Sequence, residues 1–410
     1  MTNMSLNILK RLAFAPGYTN QNQSAALSYV NKDRLFRIYR IATSVFFFVA
    51  GLTSATWASR IPDIQNKLNL SEAALGGVLF ALPVGLMVSL PISGGLVSRI
   101  GSKRSVITGA LLYPLTLLLL ASAGSTLQLT FALFLFGLFS NLVNIAMNTQ
   151  AVNVEKLYGR SIMASFHGLW SLAGFSGAVV GTFFVSAGLS PLLHFSIVCV
   201  VTGILVLVSY KFSLPHDIGG SNSQPLFAKP DKRILLLGLI AFCCMLCEGA
   251  MADWSGIYFK KVVQANPSFT TLGYVAFTST MALGRFLGDR LVMKLGVKRM
   301  LQLSGTIITT GLLIAVLFHY LLPTTMGFLL VGFGVSSVVP IVYGLAGKST
   351  TMSASAALAA VSTIGFLGFL IGPPIIGFIA QAINLRCSFT LIALLGFGTA
   401  ILAGKVKLKN

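Results

Sequence analysis

The chain has 410 residues, of which 55% are hydrophobic and 9% charged, and it carries a formal net charge of +20. A soluble globular protein carries about 25% charged residues, and no soluble fold of this length hides so much apolar surface behind so few charges. The composition argues against a soluble enzyme and a nucleic-acid-binding module, and for a chain dissolved in a bilayer, with apolar blocks as spans and charges between them.

In chain order, residues 1–36 read as a polar tail containing Lys10 and Arg11, without the sustained apolar core of a cleavable signal peptide. Apolar blocks then follow at roughly 38–59, 73–98, 105–123, 127–150, 163–188 and 192–212. A second set lies at roughly 234–259, 269–293, 300–320, 323–346, 354–381 and 385–404. Each block is about twenty residues or longer, enough to cross ~30 Å of hydrocarbon at ~1.5 Å per residue. Backbone polar groups in lipid must be satisfied within the segment, so the blocks are expected to be twelve helices of an all-α membrane protein. Residues 213–232 contain Pro215, Gly219, Gly220, Ser221, Asn222, Ser223, Pro225 and Pro230, the composition of a flexible linker. It divides the chain into two six-span halves, 37–212 and 233–405, with 406–410 as a short tail.

Twelve spans place both termini on one side. If that side is the cytoplasm, 23 of the 29 basic residues fall in cytoplasmic segments, and the outer loops keep only Arg60, Lys67, Lys260, Lys261 and Arg386. This bias predicts a multi-pass inner-membrane protein with both termini inside. Cys199, Cys243, Cys244, Cys247 and Cys387 all sit in or beside apolar blocks and match no zinc or disulfide spacing, so buried thiols are expected, with no metal and no cofactor. No nucleophile, base and orienting group assemble at a plausible depth, so no catalytic residue is expected.

The halves repeat. Span five reads Gly174-Phe175-Ser176-Gly177-Ala178-Val179-Val180-Gly181, and span eleven, 191 residues later, reads Gly365-Phe366-Leu367-Gly368-Phe369-Leu370-Ile371-Gly372. Arg99-Ile100-Gly101-Ser102-Lys103-Arg104 after span two recurs 195 residues on as Lys294-Leu295-Gly296-Val297-Lys298-Arg299. Ala55-Thr56-Trp57 is echoed by Ala252-Asp253-Trp254. Two parallel six-helix repeats around a midplane site is a transporter arrangement.

These residues resemble the major facilitator superfamily over nearly the whole chain, from about Arg37 to Lys405. Gly94-Gly95-Leu96-Val97-Ser98-Arg99-Ile100-Gly101-Ser102-Lys103 matches the family loop signature, with Ser98 in place of its acid and Ser102 in place of its second arginine. Val154 to Met163, followed by Ser165-Phe166-His167-Gly168-Leu169-Trp170-Ser171, resembles the fucose permease-like branch and its uncharacterised inner-membrane relatives. The resemblance implies alternating access between the two halves around a cavity lined by spans one, four, five, seven, ten and eleven. It also implies gate or latch roles for Arg99, Lys103, Arg104, Glu155 and Arg160. Because the signature acid is absent, Asp289 is the candidate substitute, paired with Arg285 four residues before it on one helix face.

Ionisable groups at membrane depth are costly and mark candidate sites. Glu248 lies near the centre of span seven with no basic residue within a turn. A carboxyl that takes a proton facing one side and releases it facing the other is what proton coupling requires; a neutral carboxyl bonded to a neighbouring helix is the structural alternative. Asp253 is either an outer proton station or a partner of Arg60. Asn141, Asn144 and Asn148 share one face of span four and must meet protein or a wet cavity, as solute ligands or as interhelical glue. The repeat-equivalent positions of span ten hold Ser336, Val339 and Tyr343. His167 and Trp170 lie together on span five. Trp57 and Trp254 either stack on a sugar ring or anchor at the interface. The reading is a secondary transporter, monomeric, moving a small polar solute such as a sugar or related metabolite with protons by symport. Efflux by proton antiport and a non-transporting sensor are the alternatives.

Overall fold

The computed structural model describes residues 20–159, 162–217, 231–349 and 354–406. The first part of the predicted N-terminal tail, Arg160, most of the predicted linker and the last four residues lie outside the described residues.

Every predicted span is helical. Spans one to six are Asn20–Ala58, Glu72–Leu79 with Ala81–Ile100, Ser102–Ser122, Thr126–Tyr158, Met163–Ser186 and Pro191–Lys211. Spans seven to twelve are Lys232–Lys261, Leu272–Leu295, Val297–Leu317, Leu321–Val335 with Val338–Ala346, Ala354–Ala382 and Leu385–Lys405. Eleven of the twelve are long and apolar enough to cross a membrane. Span eight, carrying Arg285, Arg290 and Lys294, is the remaining one. Spans two and ten break for a local reason. A proline ring collides with the carbonyl four residues earlier. Pro83 places that collision at Leu79 and Pro340 places it at Ser336, where the two helices are interrupted.

The repeat seen in sequence is a repeat of packing. Span five lies along span one and span eleven along span seven. The recurring glycines sit at these seams: a side chain at Gly177 would meet Ala55 and the Leu52 carbonyl, and one at Gly368 would meet the Phe242 carbonyl. The turns after spans two and eight also coincide. Gly101 has φ 83° and ψ 158°, and Gly296 has φ 77° and ψ 154°, a backbone conformation that strains any residue with a Cβ.

Spans two and four approach backbone to backbone. A Cβ on Gly137 would run into the Leu82 carbonyl, and one on Gly85 into that of Phe134. A leucine at Gly137 must therefore part the helices. Overpacking of this kind costs about 1–3 kcal/mol or more, so Gly137→Leu is expected to lower the melting temperature of the detergent-purified protein by several degrees. Gly203, with open space around its Cα, is the control position expected to tolerate alanine.

Spans five and eight, and spans two and eleven, join the halves. The joint is closed at the end away from the chain termini, here the far end. There Lys261 donates to the Glu72 carboxylate, Thr271 Oγ1 donates to Thr182 Oγ1 at 2.7 Å, and Ser186 Oγ donates to the Ser268 carbonyl at 3.2 Å. Gly76 and Gly377 face each other so closely that a Cβ on either would meet the other's backbone, and Pro62 lies against Gly256. Toward the opposite, basic end spans two and eleven part. Span eleven packs on Glu72–Leu79 but hardly touches Ala81–Ile100, and Gly94 and Gly95 have open space beside them.

Candidate functional site

Arg285 holds the centre. It sits midway along span eight and reaches across to the first half, where its Nη1 donates to Ser171 Oγ on span five at 2.6 Å. Its guanidinium lies over the Trp170 ring at 5.4 Å. Its Nη2 faces the Glu248 carboxylate of span seven at 3.6 Å, beyond hydrogen-bond length. The two side chains keep 20% and 16% of their surface exposed, so the pair borders open space. Ser171 is buried and donates its own proton to the His167 carbonyl at 3.0 Å, which orients its oxygen for Arg285.

The other predicted site residues fall around this centre in different environments. His167 is exposed, edge-on to Phe47 with ring centroids 5.3 Å apart. Asn144 is exposed, and Asn148 Nδ2 donates to its carbonyl at 2.7 Å and to its Oδ1 at 2.8 Å. Asn141, on the same face, is buried, and its Nδ2 has no hydrogen-bond partner among the described residues. Tyr343 is half-buried, on the second segment of span ten. Trp57 and Trp254 are 3% and 0% exposed, inside the bundle and not at its rim, and each indole N–H lacks a partner among the described residues. Asp253 is half-buried and makes no ion pair or hydrogen bond among the described residues. Arg60, its suggested partner, instead pairs with Asp63 at 2.6 Å and donates to the Leu189 carbonyl and to His194 Nδ1.

The latch candidates are more dispersed. Lys103 lies 4.8 Å above the Tyr210 ring, while Arg99 and Arg104 are exposed. Glu155 accepts the backbone N–H groups of Ile162 and Met163 at 2.7 and 2.8 Å, satisfying the first turn of span five. Arg160 and the Asp289 side chain lie outside the described residues. Arg285, read from sequence as the partner of Asp289, faces Glu248.

Sequence reasoning missed two residues. Ser171 gave no signal beyond lying near His167. Asp217, read as a linker charge, folds back onto the turn after span two. It accepts the Ser102 backbone N–H at 2.8 Å, the Ser102 hydroxyl, and Asn153 Nδ2 at 2.9 Å. Gln150 completes this knot through Ser102 Oγ at 2.7 Å and both backbone groups of Leu214 at 3.1 Å. A carboxylate thus caps span three where the signature acid is absent, and only the folded linker could reveal it.

Twelve helices in two repeats, joined around a polar centre, define a membrane transporter. The Major Facilitator Superfamily model matches residues 42–356 and 237–408, and the chain belongs to that family. It is 37% identical over 356 residues to an uncharacterised transporter of this type from Yersinia pestis, covering 87% of this chain and 92% of that one. It is 32% identical over 386 residues to the membrane protein MosC of Rhizobium meliloti, covering 93% of each. The fold matches that of the nucleoside transporter NupG with a TM-score of 0.73 at 12% identity, over 91% of this chain and 99% of that one.

Proposed function

We propose that this transporter takes up a small polar solute together with protons by alternating access, with its basic end in the cytoplasm and Glu248 as the proton carrier. The observation that carries the proposal is the placement of Arg285, bonded to Ser171 of one half and facing Glu248 of the other. Two charges at membrane depth are tolerated because each compensates the other. A proton on Glu248 removes the compensation and leaves Arg285 held by the first half through Ser171 and Trp170. Loss of that proton draws the guanidinium back to span seven. The protonation state thereby sets how strongly the halves are tied at the midplane, and a ligand or proton that favours one tie shifts the population of the two arrangements. The closed far end and parted basic end correspond to the arrangement open toward the cytoplasm. The basic bias of the loops at that end supports the orientation.

The test uses proteoliposomes and a substrate found by a thermal-shift screen, since a binder raises the melting temperature by mass action. Glu248→Gln is expected to abolish substrate-driven alkalinisation of the medium while counterflow exchange continues. Alkalinisation that persists unchanged in Glu248→Gln combined with Asp253→Asn rejects the proposal.

A further inference from the structure

We infer that the solute carries a single carboxylate, and that this group binds Arg285 in the place Glu248 vacates when it takes up a proton. The inference rests on the proton-coupled reading above and names the substrate class of the same site.

Four observations lead to it. First, Arg285 has donors to spare. A guanidinium offers five N–H groups in a planar fork; Ser171 takes one at 2.6 Å, and Glu248 stands off at 3.6 Å. Second, the fork is pre-oriented. The Arg285 Cζ lies over the Trp170 ring at 5.4 Å while Nη1 is bonded to Ser171, so the head group is held from two sides, and its planar fork matches a carboxylate. Third, Arg285 and Glu248 keep 20% and 16% of their side-chain surface exposed, so a solute can reach the edge. Fourth, the charge count admits one negative charge. Arg285 is the cation that faces the Glu248 carboxylate, and the two carry no net charge while both are ionised. A dianion, or an anion arriving while Glu248 is still charged, would bring uncompensated charge to membrane depth. A proton and a monoanion entering together leave Arg285, Glu248 and the solute neutral as a set.

The pH dependence follows from Glu248 and its surroundings. Arg285 on span eight faces it at 3.6 Å, and Tyr274 on span eight, Tyr343 on span ten and Cys244 on its own helix lie near enough to interact with its charge. Span eleven, packed along the same helix, has no ionisable side chain between residues 354 and 382. Carboxylate binding needs Glu248 neutral, so it strengthens as pH falls.

The test measures binding to the purified full chain by thermal shift and by Trp170 emission, the latter in a Trp57→Phe, Trp254→Phe background where Trp170 is the remaining tryptophan. The probes are acetate, lactate, benzoate and gluconate, each against its amide. At least one acid, and not its amide, is expected to raise the melting temperature and change Trp170 emission, more strongly at lower pH. Glu248→Gln, which mimics the protonated carboxyl, is expected to bind that acid tighter by about tenfold at neutral pH, equivalent to about 1.4 kcal/mol, and to lose the pH dependence. Arg285→Gln abolishes the response, and Arg285→Lys, which keeps the charge without the fork, retains a weakened one. The inference is overturned if amides bind as well as acids, if amines bind in their place, or if no acid produces a response in Glu248→Gln. The two readings fail separately. Acid binding as expected with unchanged proton movement in Glu248→Gln rejects proton coupling through Glu248. Uncoupling by Glu248→Gln without an acid-specific response rejects the carboxylate.

Discussion

Gly76→Leu is expected to hold the far end open and stop transport. Gly76 presses against span eleven, where a Cβ would come within 2.6 Å of the Pro373 carbonyl oxygen and 3.1 Å of the Gly377 Cα. Both obstacles are backbone, so neither can rotate aside, and a leucine adds three further carbons. The cost of overpacking, about 1–3 kcal/mol or more, falls only on the arrangement in which the two backbones touch. Two conformations of a transporter differ by a few kcal/mol, and each ~1.4 kcal/mol moves their ratio tenfold. The population should therefore shift by about tenfold or more toward a state open at the far end. The measurement is labelling of Asn141→Cys by an impermeant maleimide added from that side, in a background where the five native cysteines are replaced. Labelling should accelerate as uptake falls. The neighbouring Gly77 has open space, so Gly77→Leu should change neither. Unchanged labelling in Gly76→Leu removes this contact from the closure.

Arg285→Gln is expected to reduce transport by about a hundredfold and to lower stability as well. The substitution leaves Glu248 facing a neutral amide and removes the charged donor from Ser171. Breaking a buried pair by deleting one partner costs about 3–5 kcal/mol, because the remaining charge is uncompensated. The exposure of both side chains places the effect on stability at the lower end of that range. Removing Glu248 as well should restore the melting temperature, because no stranded charge remains, while transport stays lost. Arg285→Lys should fold well and transport poorly, since an ammonium supplies charge without the planar fork. Uptake rates and melting curves of the single and double variants test this together. A double variant as unstable as Arg285→Gln would mean the two residues act independently.

Much of the architecture was legible along the chain. Spans appear as apolar blocks because lipid solvates every outward side chain, and a stretch such as Pro191–Lys211 needs no partner to declare itself. The repeat was legible because helices that must touch leave a local mark: Gly177 and Gly368 each sit where another backbone passes. Gly101 and Gly296 carry the same positive φ. Span eight was legible as an apolar block at 269–293, although Arg285, Arg290 and Lys294 dilute its apolar signal.

The candidate site was legible only as a set of residues. Glu248, Arg285, Asn144, His167 and Trp170 could be named from the cost of polar groups at depth, but a one-dimensional pattern sees partners only within a turn. Arg285 was therefore paired by sequence with Asp289, four residues away on its own helix, and its approach to Glu248, 37 positions earlier, left no mark in the chain. Ser171 and Asp217 were missed for the same reason, since their partners lie 114 and 115 residues away. The amino-acid sequence alone determined that this chain dissolves in a bilayer as duplicated helices, because hydropathy and close-packing glycines act locally. Which charges meet, which indoles lie buried and which end is closed were decided only by tertiary structure, because those contacts exist only after the two halves dock.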